Sequence, residues 1–173
     1  MPIIEIPNEE EPDLAFLDKA DNWLKTEGLV DIQVNGFGGV DFNTPGISCD
    51  SLQHSLETML ASGVTTCLPT IITSSESHLQ SCLYDLETAR NSSTLAKTMI
   101  AGYHLEGPFL SALPGFSGCH PINEMDVVDQ EMFLRLQDVA GGNICLVTLA
   151  PEIDGALAFM KNLVRDGIIV ALG

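Results

Sequence analysis

A chain of 173 residues is about one domain's worth, and 45% apolar residues is ordinary for a globular protein. Its 24 Asp and Glu against 7 Lys and Arg argue against nucleic acid, whose phosphates need basic contacts, and equally against an anionic membrane surface. No apolar run has the length of a membrane helix, and the N-terminus lacks the basic region and apolar core of a signal peptide, so a cytoplasmic protein is expected. The cysteines Cys49, Cys67, Cys82, Cys119 and Cys145 are odd in number and scattered, with no CxxC pair, which suits free thiols better than a disulfide framework or a zinc finger.

Along the chain, Ile3 to Ile6 reads as a short strand, Asn8 to Asp13 as an acidic, turn-prone loop, and Leu14 to Leu24 as a helix by its apolar spacing. Leu29 to Asn35 is rich in β-formers and stops at Gly36, with Gly38-Gly39 soon after, which predicts a strand and a glycine loop. Alternation along that strand puts Asp31, Gln33 and Asn35 on one face. Buried amides need partners, so this face is expected to look into a site; an edge strand with one wet face is the alternative.

Ser48 or Asp50 can cap a helix to about Ala61, with Leu52, Leu56, Met59 and Leu60 as its stripe. Val64 to Thr73 is a second strand, and a helix follows from Ser74-Ser75-Glu76 through Leu79, Leu83 and Leu86, with a loop at Asn91-Ser92-Ser93. Residues 98–106 are predicted as the next strand, and 107–123 as a long loop of the kind usually reserved for function. A helix is expected over Asp126 to Val139, a strand over Ile144 to Ala150, a helix over Gly155 to Asp166 and a strand over Gly167 to Gly173. Strands alternating with helices point to a parallel α/β fold, either an open sheet or most of a (β/α)8 barrel. No GxGxxG, GxxxxGK[ST] or GxSxG pattern supports a nucleotide site or a serine-hydrolase elbow.

The run from Ile100 to Phe109 carries the chemistry. An apolar stretch ends in His104 and Glu106, which share a strand face, and Gly107-Pro108 stops the strand. An acid at a buried strand tip is costly unless it binds something, and the C-terminal tips of parallel strands are where ligands sit. A Glu that caps a loop or meets an arginine is the bland alternative. By spacing alone His104 is either a second ligand or a supporting residue. His54 and His78 fall in predicted helices and read as ordinary surface or boundary residues, and the thiols as unreactive.

Five segments, Gly28 to Gly36, Gly63 to Thr73, His104-Leu105-Glu106-Gly107-Pro108-Phe109, Val147 to Glu152 and Gly167 to Gly173, occur in an order and spacing that resemble the N-terminal half of the N-acetylglucosamine-6-phosphate deacetylases of the amidohydrolase superfamily. The resemblance implies a partial (β/α)8 TIM barrel, about five of its eight strands, over residues 28–173. It makes 1–27 a remnant of, or replacement for, a small β-sandwich domain. It implies hydrolysis of the acetamide of N-acetylglucosamine 6-phosphate to glucosamine 6-phosphate and acetate. Glu106 is then a metal ligand, Cys119 and His120 contact substrate, and the imidazole reaches the phosphate of a neighbouring subunit's substrate in a homo-oligomer, a dimer at full length. Gln33, Asn35 and His104 line the site, His104 behind the ligands. Where many amidohydrolases carry His-x-His, this chain has Gln33 and Asn35; neutral amides are poor transition-metal ligands, so one divalent ion, zinc, is expected. The resemblance places two metal-binding histidines and the catalytic aspartate on later strands, the first histidine directly after Gly173. No catalytic residue is therefore assigned within this chain, which is expected to be inactive alone as a truncated piece. The alternatives are a catalytically dead relative that binds a sugar phosphate or a partner, and an unrelated small α/β binding domain.

Overall fold

A computed structural model describes residues 3–7, 23–125 and 127–173. Ile3–Pro7 (β1) pairs antiparallel with Trp23–Glu27 (β2). Leu29–Val34 (β3), Val64–Ile72 (β6), Tyr103–Glu106 (β7), Ile144–Leu149 (β8) and Ile169–Leu172 (β9) form one parallel sheet in that order. The sheet curls into a partial TIM barrel. Gly36–Phe37 (β4) and Val40–Asp41 (β5) make a small hairpin after β3. The crossovers carry Cys49–Ala61 (α1), Glu76–Ser92 (α2), Thr94–Met99 (α3), Gln130–Val139 (α4) and Ala156–Arg165 (α5).

The helical stripes bury as their spacing demands. Leu52, Leu56 and Met59 of α1 and Leu79, Leu83 and Leu86 of α2 are fully or almost fully buried against Ile71, Leu105 and Val147 of the sheet, in one continuous core. Each such side chain contributes about 1.5–3 kcal/mol on leaving water. The caps are local: Ser48 Oγ accepts from Ser51 N at 3.0 Å, and Asp129 Oδ1 from Met132 N at 3.0 Å.

Four expectations change. Trp23 and Leu24, read as the end of a helix, lie in β2, paired with Pro7 and Ile6; residues 14–22 of that predicted helix, and the acidic loop at 8–13, lie outside the described residues. Asn91 and Ser92 are helical, the last turn being supported by Asn91 Nδ2, which donates to Glu87 Oε1 at 2.7 Å as an i,i+4 pair. Thr94–Met99 is a short helix, started by Ser93 Oγ accepting from Ala96 N at 3.2 Å, so the strand begins at Tyr103 and not at residue 98. The helix expected from Asp126 begins at Gln130, where the carboxylate of Asp129 supplies the cap. The other predicted strands and helices stand within a residue or two of their expected limits, while the β4–β5 hairpin and a short turn of helix at Ile122–Glu124 fall where loops were expected.

The segment after β7 is fixed at its start. Gly107 N donates to Thr148 O at 3.1 Å, and Ala150 N to Phe109 O at 2.9 Å. The Phe109 ring meets Phe159 edge-on at 5.5 Å, and Phe159 meets Phe133 at 5.3 Å, so α4 and α5 clamp the root of the loop. Farther out the loop is exposed through Leu113 and Phe116, then turns back in at His120.

Candidate active site at the strand tips

Glu106 is the last residue of β7, and its side chain is 18% exposed. Oε2 accepts from Gln33 Nε2 at 2.9 Å, across from the neighbouring end of the sheet. Oε1 faces His120 Nε2 at 3.9 Å. His120 Nδ1 lies 2.8 Å from Thr73 Oγ1, and that hydroxyl lies 3.4 Å from Glu106 O. Gly107 closes the corner with φ +81; a Cβ there would overlap Thr73 Oγ1, so only glycine lets the loop leave the strand this way.

His104, 3% exposed, does not face this space. Nδ1 is 3.1 Å from Ile32 O and 3.3 Å from Thr70 Oγ1, while Nε2 is 2.7 Å from Thr148 Oγ1. Both ring nitrogens are occupied. Burial holds the imidazole below its ordinary pKa, against smaller upward pulls from the Glu106 charge and the bond to Ile32.

The shared polar face expected of Asp31, Gln33 and Asn35 does not form as alternation predicts. The β3–β6 register shifts between Asp31 and Val34, so β3 carries a bulge there. Asp31 Oδ1 turns back to accept from Gln33 N at 3.0 Å, and Gln33 is aimed at Glu106. Asn35 lies past the strand end and contributes its carbonyl, which accepts from Phe42 N at 2.9 Å. Cys119 is exposed beside His120. Within the chain, His120 meets Thr73 through Nδ1 and Glu106 through Nε2.

Sequence reasoning missed the residues that hold this arrangement. Thr73 and Thr148 were read only as strand positions. Asn43 was not singled out, yet its amide donates to Thr70 O at 2.9 Å and accepts from Ile72 N at 2.8 Å, serving as a one-residue strand beside β6. His78, read as a boundary residue, sets Nε2 2.9 Å from Asn43 O and steadies that loop. The turn-prone run Asp41-Phe42-Asn43-Thr44-Pro45-Gly46 was the available signal.

No family profile matches the chain. The N-acetylglucosamine-6-phosphate deacetylase of Caenorhabditis elegans is 36% identical over 160 residues, which is 87% of this chain and 37% of that protein. The fold agrees: a mutant N-acetyl-D-glucosamine-6-phosphate deacetylase from Mycobacterium smegmatis, solved in complex with N-acetyl-D-glucosamine-6-phosphate, superposes with a TM-score of 0.74 at 33% identity, over 85% of this chain and 36% of that one. The chain is a homologue of part of the N-acetylglucosamine-6-phosphate deacetylases. An N-acetylgalactosamine-6-phosphate deacetylase of Shewanella is 34% identical over 148 residues, so relatives with either hexosamine in their names are similar to it. The chain spans 37% of the length of the first of these relatives and 35% of the second.

The divalent metal expected from the resemblance in sequence would need a set of donor side chains in this space. Among the described residues no group of three or more His, Cys, Asp and Glu side chains converges as a metal site. Glu106, with one carboxylate oxygen held by Gln33 and the other facing His120, is a donor of the right kind and fits part of a ligand set. Among the described residues, no helix is long and apolar enough to cross a membrane.

Proposed function

We propose that this chain supplies one side of a metal-dependent deacetylase site for an N-acetylhexosamine 6-phosphate, N-acetylglucosamine 6-phosphate in the first place. The observation that carries the reading is the state of Glu106. One carboxylate oxygen is anchored by Gln33 and the other is left facing His120 at the tip of a parallel strand. In this reading Glu106 is a ligand of a single zinc ion, and Cys119 and His120 contact substrate. When bound, the ion would polarise the acetamide carbonyl and lower the pKa of a water. The chain's own residues orient: Gln33 fixes the carboxylate plane, Thr73 fixes the His120 ring, and Asn43 holds the β6 tip that leads into Thr73. The remaining imidazole ligands and the aspartate that would move the proton belong, by resemblance, to strands after β9, in a protein that works as a dimer in the cytoplasm.

The test is acetate release from N-acetylglucosamine 6-phosphate with added zinc, comparing this chain with the chain extended to its relatives' length. The expected outcome is turnover only in the longer protein, and loss of tight zinc binding there in Glu106→Ala. Equal rates from both would overturn the placement of the metal and base. Failure of both would favour a sugar-phosphate-binding relative without catalysis.

A further inference from the structure

The bulge in β3 leaves backbone groups that the ladder does not use, and side chains take them up. From the Asp31–Cys67 pair to the Val34–Pro69 pair, β3 carries one residue more than β6. Gln33 N goes to Asp31 Oδ1 at 3.0 Å, Val34 N to Thr70 Oγ1 at 3.0 Å, and Ile32 O meets His104 Nδ1 at 3.1 Å. A carbonyl that a bulge leaves out of the ladder needs another donor, and the imidazole supplies it there.

The same contacts settle where its proton sits. Ile32 O only accepts. The single proton of Thr70 Oγ1 is directed to Leu68 O at 3.1 Å, so that hydroxyl has none for Nδ1. Nδ1 must therefore donate. Nε2 lies 2.7 Å from Thr148 Oγ1. One ring thus ties β3, β7 and β8 together and touches β6 through Thr70. Ile32 immediately precedes Gln33, whose amide holds Glu106.

We propose that His104 is a positioning residue: its Nδ1-protonated imidazole pins the β3 bulge at Ile32 and thereby aims the Gln33 amide at Glu106. It is not a ligand, because both nitrogens are committed. Its functional meaning rests on the reading of Glu106 given above. The geometry itself does not, so its test needs neither metal nor substrate, and failure there is distinct from failure of acetate release.

The test is nitrogen NMR of this chain. Imidazole resonances of His104, assigned by their loss in His104→Gln, are expected to show a protonated Nδ1. A bare Nδ1 overturns the proposal without any variant. The side-chain amide of Gln33, assigned with Gln33→Ala, is expected away from the free-amide position in the wild type. His104→Gln, which keeps a donor for Ile32 O, should leave it there. His104→Leu should return it to the free position while the backbone signals of β8 and β9 hold. An unmoved Gln33 amide in His104→Leu overturns the proposal. If that variant fails to fold, Thr148→Val reads the same device: the Nε2 resonance should shift while Nδ1 stays protonated and Gln33 stays bound, and a switch of tautomer overturns it.

Discussion

Cysteine chemistry follows burial at each thiol. Burial, with Asp31 as a lesser cause, pushes Cys67 up to about 12, and burial pushes Cys82 up to about 11, so neither is a thiolate near neutrality. Cys119 is exposed in the loop beside His120. A thiol titration with a disulfide reagent at pH 8 should find Cys119 reacting first, with Cys67 and Cys82 silent until denaturant is added; early labelling of Cys67 would mean that the core opens readily. At this scale the sequence was partly readable. Glu106 and Gln33 stood out because a charge and an amide interrupt apolar strands. Thr73, Thr148 and Asn43 did not, because hydroxyl and amide partners are set by the neighbouring strand, and local sequence does not give that register.

Among the secondary-structure elements, apolar runs closed by glycine or proline marked all five sheet strands and four of the helices. The errors lie where short-range hydrogen bonds override pattern. Ser93 starts a helix inside what reads as one long strand, and Asp129 starts another four residues late. Asp129→Ala should cost about 0.5–2 kcal/mol, the usual range for a lost N-cap, measured by urea unfolding. An effect below a few tenths would mean that the α4 start is held by packing alone. The α2–α4 contact adds a pH-sensitive feature. Arg135 donates to both oxygens of Glu76, at 2.6 and 3.0 Å, and holds the Glu76 carboxyl below its ordinary 4.5, chiefly through that hydrogen bond. The unfolded chain then takes up a proton at higher pH than the fold does. The pair's stabilisation is present above 4.5 and is lost as pH falls through the lowered value. Both side chains are solvated, so the effect is small. Arg135→Gln should lower stability near neutrality by that small amount and leave it unchanged at pH below the lowered value, so that the acid-unfolding curve flattens between the two; an unaltered acid limb would count against the pairing.

Among the described residues the five-stranded sheet ends in β3 on one side and β9 on the other. β3 exposes Leu29, Val30 and Ile32, β9 exposes Ile169 and Leu172, and α5 exposes Leu157 and Val164. A soluble protein seldom leaves such apolar surface together with unpaired strand edges uncovered. This chain alone should bind a hydrophobic dye strongly and associate as salt screens its formal charge of -17. A monodisperse monomer with a sharp thermal transition and no dye signal would show that these surfaces are covered some other way. The two edges are unequal. β3 is bulged, with backbone groups taken by side chains, whereas β9 runs in regular register beside β8 from Ile169 to Leu172. Added strands are therefore favoured beside β9.

The strand order carries a consequence for how the chain is made. Each sheet strand lies beside the one that precedes it in the sequence, β3 by β6, then β7, β8 and β9. No strand of this sheet waits for one later than the next, so each pairing closes a single strand-helix-strand crossover. A ribosome releasing this chain from its N-terminus would deliver every strand to an edge already in place. Assembly can then keep pace with translation, one strand and helix at a time.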